Sequence, residues 1–280
     1  IDLHTHTFYS DGGDDPVSVI TNLKLKGTDI AALTDHDHMI AYFKGREVAK
    51  SWNLKLIPGV EVSTSKYHIL GLNVRPEDQA FQDFLAYSRS EQKDRCMKRV
   101  ALLNQYGVPI TPKKVEEMFP ESRLGKYNIL MAMVCDPECI AYLAEHDPGQ
   151  TPTQIFKFYL GKNAIASVKG AKSAITPAIA IAEIHKAGGI AIIAHPFKEV
   201  KDMAEMDQLV KEGIDGLEIQ PNFGDANIPF REYALKNGLM MTYGSDFHGA
   251  AGTRTLLGKM QTEENAIEES VLEKMLNKWR

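Results

Sequence analysis

The sequence has few cysteines, no excess of basic residues and no long apolar run, and each shortage excludes a class of protein. Three cysteines in 280 residues are too few for a disulfide-stabilised secreted scaffold and favour a reducing cytoplasm. Acidic residues outnumber Lys and Arg by 37 to 32, so we expect no affinity for duplex DNA. No apolar run approaches the ~18 residues of a transmembrane helix, and the first residues lack the pattern of a signal peptide. We therefore expect a cytoplasmic globular protein with no membrane partner.

Short apolar runs alternate with helical patterns in the first and last parts of the chain. The predicted strands are Ile1–Leu3, Ile30–Leu33, Leu54–Ile57, Tyr67–Leu72, Ile190–Ala194, Gly216–Ile219 and Leu239–Tyr243. Helices between them begin at caps such as Asp15-Pro16 and Thr176-Pro177. This alternation is typical of a mostly parallel sheet, open or closed into a barrel. A last amphipathic helix is predicted near Ile267–Lys278.

The stretch from residue 75 to residue 162 breaks this alternation. Helical patterns such as Ser90–Tyr106 dominate it, and no strand pattern is found there. We predict an all-helical insertion at residues 75–162 that caps a core domain made of residues 1–74 and 163–280.

Histidine and carboxylate side chains recur beside the apolar runs. His4 and His6 form an H-x-H pair, whose imidazoles point to one side of a strand because side chains alternate with period two. Asp11 follows in a glycine-containing turn. The further candidates are His36, Glu61, His68, His195, Asp246 and His248. Strand ends converge in parallel α/β folds, so we expect a metal centre. Imidazole and carboxylate ligands suit Zn, Mn or Fe, and carboxylates that can bridge favour more than one ion.

These motifs resemble those of the PHP (polymerase and histidinol phosphatase) family. They occur in the order HTHTFYSDG, TDHD, GVEVS, HILGL, AHP and GSDFHG along nearly the whole chain. The resemblance is to bacterial members that hydrolyse nucleoside 3′,5′-bisphosphates and trim the 5′ ends of short RNAs. It implies an α/β fold, a distorted (β/α)7 barrel with an all-helical insertion. It also implies two or three divalent ions (Mn, Zn or Fe) bound by His4, His6, Asp11, His36, Glu61, His68, His195, Asp246 and His248. Asp35 is expected behind these ligands.

One segment departs from the family pattern. Many relatives carry an Arg-x-His segment followed by a second arginine, whereas this chain has Asn128 in place of the histidine and Met131 in place of that arginine. Asparagine is a weaker ligand than imidazole, so a two-metal site or a weak third metal is expected. Lys162 matches a lysine that lies near the phosphate in relatives. Asn128 and His38 are the other candidate substrate contacts, and for His38 a solvated loop position is the alternative.

The expected activity is hydrolysis of a phosphate ester in a small molecule, a nucleotide or a short oligonucleotide. Metal ions lower the pKa of water, and a hydroxide held by Glu61, His195 and Asp246 is expected to attack phosphorus. The ions and Lys162 would neutralise the phosphate oxygens. A histidinol-phosphatase-like monoesterase or another metal hydrolase is the alternative enzyme. A ligand-binding member with reduced catalysis is the alternative from another class. The sequence leaves the oligomeric state open.

Overall fold

The computed structural model describes residues 1–168 and 173–249, which fall into two compact units. The core unit contains residues 1–88 and the described residues from 173 onward, and the helical unit contains residues 89–168 of the described chain. The helix predicted near Ile267–Lys278 lies outside the described residues. The domain boundaries at residues 75 and 162 stay a prediction.

Six strands of the core unit form one sheet in the order of the chain. They are β1 (Ile30–Leu33), β2 (Lys55–Ser63), β3 (His68–Leu72), β4 (Ile190–Ile193), β5 (Gly216–Ile219) and β6 (Met240–Tyr243). Pairing is parallel for β1–β2, β4–β5 and β5–β6, whereas β3 is antiparallel to both its neighbours. The reversal follows from the chain, because only residues 64–67 connect β2 to β3 and a parallel crossover needs a dozen or more.

The N-terminal segment hydrogen-bonds to both edge strands of this sheet. Asp2 N–H donates to the carbonyl of Ile30 at the β1 edge, and Leu3 N–H donates to the carbonyl of Tyr243 at the β6 edge. The strand predicted at Ile1–Leu3 is present only as an isolated parallel bridge from Asp2 to Ala31, and a second bridge joins Thr5 to Phe247, beyond the end of β6. The segment nevertheless links the first strand of the sheet to the last.

Helices follow most strands of the core unit, and the helical unit has its own series. They are α1 (Pro16–Leu25), α2 (Ile40–Ser51), α3 (Gln79–Tyr106), α4 (Pro112–Met118), α5 (Lys126–Cys135), α6 (Pro137–His146), α7 (Pro152–Ile155), α8 (Pro177–Lys186), α9 (Pro196–Glu199), α10 (Met203–Lys211) and α11 (Ile228–Asn237). A π-helical turn spans Phe156–Leu160, and a 3₁₀ helix spans Pro221–Asn227. The caps predicted at Asp15 and Thr176 accept hydrogen bonds from the first turns of α1 and α8, which stabilises both helix starts.

Each unit has a hydrophobic core of its own. Ile69, Ile193 and Leu217 are fully buried in the core unit, between the sheet and its helices. In the helical unit Leu103 and Ile129 are fully buried among the helices. Every regular element in the described residues of the helical unit is a helix. Among the described residues, no helix is both long and apolar enough to cross a membrane.

Replacing Asp2 by alanine is expected to destabilise the core unit by about 1–3 kcal/mol, because a buried donor loses its acceptor. The buried Asp2 carboxylate accepts the N–H of Ser245 at 2.9 Å and that of His4 at 3.4 Å. Urea denaturation measures the loss. Asp2→Asn is the control, since it keeps an acceptor oxygen, and an alanine variant as stable as the wild type would contradict this role.

Candidate metal centre

The residues predicted as metal ligands lie along one edge of the sheet, the edge formed by the carboxyl ends of its parallel strands. Glu61 is near the end of β2, and His36, which follows β1, forms a parallel bridge with it. His195 follows β4, and Asp246 follows β6. His68 is the first residue of its strand. It reaches the same edge because β3 runs in the opposite direction, pairing His68 with Ser63.

Glu61 is the centre of this group. Its side chain is buried, and its two oxygens lie 3.1–3.4 Å from ring nitrogens of five histidines: His4, His6, His36, His68 and His195. Nε2 of His4 and Nε2 of His6 are 3.1 Å apart. Neighbouring ligand atoms of a tetrahedral zinc ion lie roughly 3.3 Å apart, given bonds of about 2.0–2.1 Å. The spacing therefore suits ligands that share ions.

Asp11 forms a second concentration of donors. Its carboxylate oxygens lie 3.6 Å from Nδ1 of His6, 3.6 Å from Nε2 of His36 and 3.4 Å from Nε2 of His248. Within the described residues, Oδ1 of Asp11 and Oε2 of Glu61 are buried and accept no hydrogen bond. Buried carboxylate oxygens that converge on imidazole nitrogens are what cations require, so the donor set fits the metal ions expected here.

Five groups of three or four side chains bring their ligand atoms within 4.8 Å of one another in the described residues. They are His6–Asp11–His36–His248, His4–His6–Glu61, His4–His195–Asp246, His36–Glu61–His68 and His68–His195–Glu199. All nine predicted ligands belong to at least one group. Their roles as ligands stay predictions.

Two carboxylates behind the cluster fix the orientation of its histidines. Oε1 of Glu218 lies 2.8 Å from Nδ1 of His4, and its Oε2 accepts the N–H of His195 at 2.7 Å. Asp35 accepts the hydroxyl of Ser10 at 2.6 Å, and Oγ of Ser10 lies 3.3 Å from Nδ1 of His6. Such outer contacts set the tautomer and ring direction of metal-binding histidines.

The backbone is also constrained at two candidate ligands. His195 has φ 32° and Asp246 has φ 54°, in the left-handed region that non-glycine residues seldom adopt. His195 directly precedes Pro196, the first residue of α9. The sharp turn between β4 and α9 keeps the imidazole at the sheet edge.

The charges of the cluster depend on one another. Burial opposes a charge on His6, but the neighbouring carboxylates of Asp246 and Glu61 raise its pKa to about 10. Burial likewise opposes a charge on His4, yet Glu218, Glu61 and Asp246 raise its pKa well above the ordinary value. Burial would raise the pKa of Glu61, but the neighbouring histidines lower it well below the usual range. Without metal, protons on the imidazoles therefore compensate the buried carboxylates.

Three residues of this site were missed by the sequence analysis. Glu199 accepts the N–H of His68 at 2.9 Å, and its other oxygen is 3.6 Å from Nδ1 of that residue. Lys198 donates to Oδ2 of Asp246 at 2.6 Å. Glu218 lies in β5. Their positions in the sequence are the only features that could have indicated a role in the site. Lys198 and Glu199 closely follow the AHP motif, and Glu218 is an acidic residue within an apolar strand.

The predicted substrate contacts lie in different places. His38 is half-buried at the core unit, where its Nδ1 accepts the N–H of Ile40 at 3.1 Å. Asn128 is buried in the helical unit; its Oδ1 accepts the N–H of Gly125 at 2.8 Å and its Nδ2 donates to Ser122 at 3.2 Å. Asn128 therefore caps the start of α5. Lys162 is exposed in the same unit, and the substrate contacts of all three residues stay predictions.

Comparison with known proteins places the chain in a family. The PHP domain profile matches residues 2–145. A 5′-3′ exoribonuclease of Haemophilus influenzae is 31% identical over 261 residues, covering 90% of each chain. A 3′,5′-nucleoside bisphosphate phosphatase of Chromobacterium violaceum is 28% identical over 264 residues, covering 89% of this chain and 87% of its own. The chain therefore belongs to the PHP family, and it is a metal-dependent phosphoesterase.

A solved structure supports the same fold. A protein of Bifidobacterium adolescentis superimposes with a TM-score of 0.81 at 23% identity. The match covers 97% of this chain and 95% of that one. Since identity is low, this likeness concerns the architecture alone.

Metal binding is expected to strengthen as the pH rises, because imidazoles must lose their protons to act as ligands. The folded pKa of His6, about 10, exceeds its ordinary value of 6.5. Its protonated form therefore stabilises the metal-free fold below pH 6.5, and this contribution is lost as the pH rises through about 10. Thermal unfolding with chelator and with Mn²⁺ should show a gain in Tm that is larger at pH 8.5 than at pH 6.5. An equal gain in Tm at both pH values would contradict the conclusion that protons on the imidazoles compensate the buried carboxylates in the metal-free protein.

Proposed function

We propose that the chain hydrolyses a phosphate ester of a nucleotide or a short oligonucleotide. The observation that carries the proposal is the buried Glu61 carboxylate surrounded by five imidazoles. Support for the substrate class comes from relatives named as an exoribonuclease and a nucleoside bisphosphate phosphatase. Both are aligned along about nine-tenths of this chain.

Two or three divalent ions, Zn, Mn or Fe, are proposed to be held by the nine predicted ligands. When bound, such ions supply positive charge to phosphate oxygens and acidify water. The chain's own residues do the remaining work. Glu61 would hold the ions from the centre of the cluster, while Glu218 and the Asp35–Ser10 pair hold the rings of His4 and His6 in position. Burial of the cluster excludes bulk water and strengthens its electrostatic interactions.

We propose that the core unit is a closed, distorted (β/α)7 barrel. The hydrogen bonds of the N-terminal segment to both edge strands support closure of the sheet. We propose residues 75–162 as the helical insertion of the barrel domain. The free thiols of Cys96, Cys135 and Cys139 favour the reducing cytoplasm as its location.

Replacing Glu61 by glutamine is expected to lower kcat/KM by more than about 100-fold, since even outer-shell changes cost about 10–100-fold at metal sites. Steady-state kinetics with elemental analysis of the same preparation measures activity and metal together. Glu205→Gln is the matched control, because Glu205 pairs with Tyr67 and Lys66 rather than with the cluster. Wild-type turnover by a metal-depleted Glu61→Gln protein would refute the proposed site.

A substrate series is expected to give the highest kcat/KM for nucleoside 3′,5′-bisphosphates or short 5′-phosphorylated RNA. Simple phosphate monoesters and histidinol phosphate are the comparison substrates, assayed with Mn²⁺, Zn²⁺ and Fe²⁺ in turn. A preference for histidinol phosphate would favour the monoesterase alternative. No turnover of any ester by metal-loaded protein would favour a ligand-binding member.

A further inference from the structure

Two phenylalanines form an aromatic pair beside the metal centre. Phe197 belongs to α9 and Phe223 to the 3₁₀ helix Pro221–Asn227, and their ring centroids are 4.4 Å apart with a tilt of 36°. Phe197 packs against the core of the unit, whereas Phe223 is 39% exposed. The Phe197 ring is therefore held by the core, and the Phe223 ring keeps part of its surface open to solvent.

Lys198 connects this pair to the predicted ligands. Its Nζ lies 5.6 Å from the centroid of Phe197 and 5.4 Å from that of Phe223, within reach of a cation–π interaction. The same ammonium group donates to Oδ2 of Asp246 at 2.6 Å. The aromatic pair is thus separated from a predicted metal ligand by a single ammonium group.

The segment that carries Phe223 is fixed to the same carboxylate that orients His4. Phe223 N–H donates to the carbonyl of Gln220 at 3.0 Å, and Nδ2 of Asn227 donates to that carbonyl at 2.7 Å. The side-chain amide of Gln220 donates to Oε2 of Glu218 at 3.1 Å. These bonds hold the backbone that carries the ring before any ligand arrives, which lowers the entropic cost of binding.

We propose that the open ring of Phe223, backed by Phe197, stacks the base of the nucleotide whose phosphate is bound at the metal centre. A flat π surface next to a cation and a metal cluster complements a ligand that has both a planar base and a phosphate. Stacking on one aromatic ring tolerates every base, so the pair selects nucleotides as a class. This inference rests on the proposed phosphoesterase activity and adds the group that recognises the nucleoside.

The test compares two substrates that differ only in the base. For each variant, kcat/KM is measured for adenosine 3′,5′-bisphosphate and for ribose 3,5-bisphosphate, and their ratio is taken. Phe223→Leu keeps an apolar side chain beside Phe197 but removes the π surface, and Phe223→Tyr restores it. Trp52→Leu is the control, because Trp52 is also an exposed aromatic residue, at 41%. It precedes β2 and so lies at the amino end of that strand, away from the strand ends that carry the predicted ligands.

We expect the ratio to fall about tenfold in Phe223→Leu, as the loss of one base–aromatic stack predicts. Phe223→Tyr and Trp52→Leu should keep the wild-type ratio. A wild-type ratio in Phe223→Leu would overturn the inference while leaving the proposed function intact. A metal-loaded wild-type enzyme that turns over neither the bisphosphates nor short 5′-phosphorylated RNA would instead refute the proposed function.

A binding measurement that needs no turnover gives a second readout. Saturation-transfer NMR on wild-type protein is expected to show transfer from the protein's aromatic protons to adenosine and none to ribose. The signal should weaken in Phe223→Leu at unchanged metal content. Equal signals for adenosine in the wild type and in Phe223→Leu would place the base elsewhere and overturn the inference.

Discussion

The structure of the core unit depends on the burial of one carboxylate, that of Glu61. An ionised carboxylate cannot leave water without compensating positive charge, because desolvation costs several kcal/mol even after relaxation. Here the compensating charge comes from five histidines. Two lie in the N-terminal segment, one follows β1, one begins β3 and one follows β4. Protons can supply the charge in the metal-free protein, and metal ions can replace them. Each strand end must therefore arrive at this edge in the correct direction, and the sheet order and the reversal of β3 meet that requirement.

The candidate centre is also a product of long-range order. Its residues extend from His4 to His248, and the carboxylate that orients His4 comes from Glu218, 214 positions away. The packing around that contact leaves no room for a side chain at Gly244. A Cβ there would lie 2.2 Å from Cβ of His4 and 2.5 Å from Oε1 of Glu218. The site consequently forms only when β5, β6 and the N-terminal segment are assembled together.

Much of this arrangement could be predicted from the sequence, and the remainder could not for definite reasons. The six strands and the convergence of the predicted ligands follow from apolar runs that end in His, Asp or Glu. Glu218 was missed because an acid inside an apolar strand has no motif, and its partner His4 is known only from the tertiary contact. Asn128 marks another limit. Its change from the family residue is visible in the sequence, but its use as a cap of α5 depends on bonds to Gly125 and Ser122.

The left-handed backbone at His195 and Asp246 has a consequence for how such a protein can change. Residues held in sparsely populated backbone regions cost of order 1–3 kcal/mol each, and glycine at either position would relieve that strain. Glycine would also delete a group that faces the cluster. Selection for thermal stability alone would therefore remove these two side chains early, whereas selection for turnover would retain them if they bind metal ions as proposed. At these two positions a gain in stability would therefore come with a loss of activity.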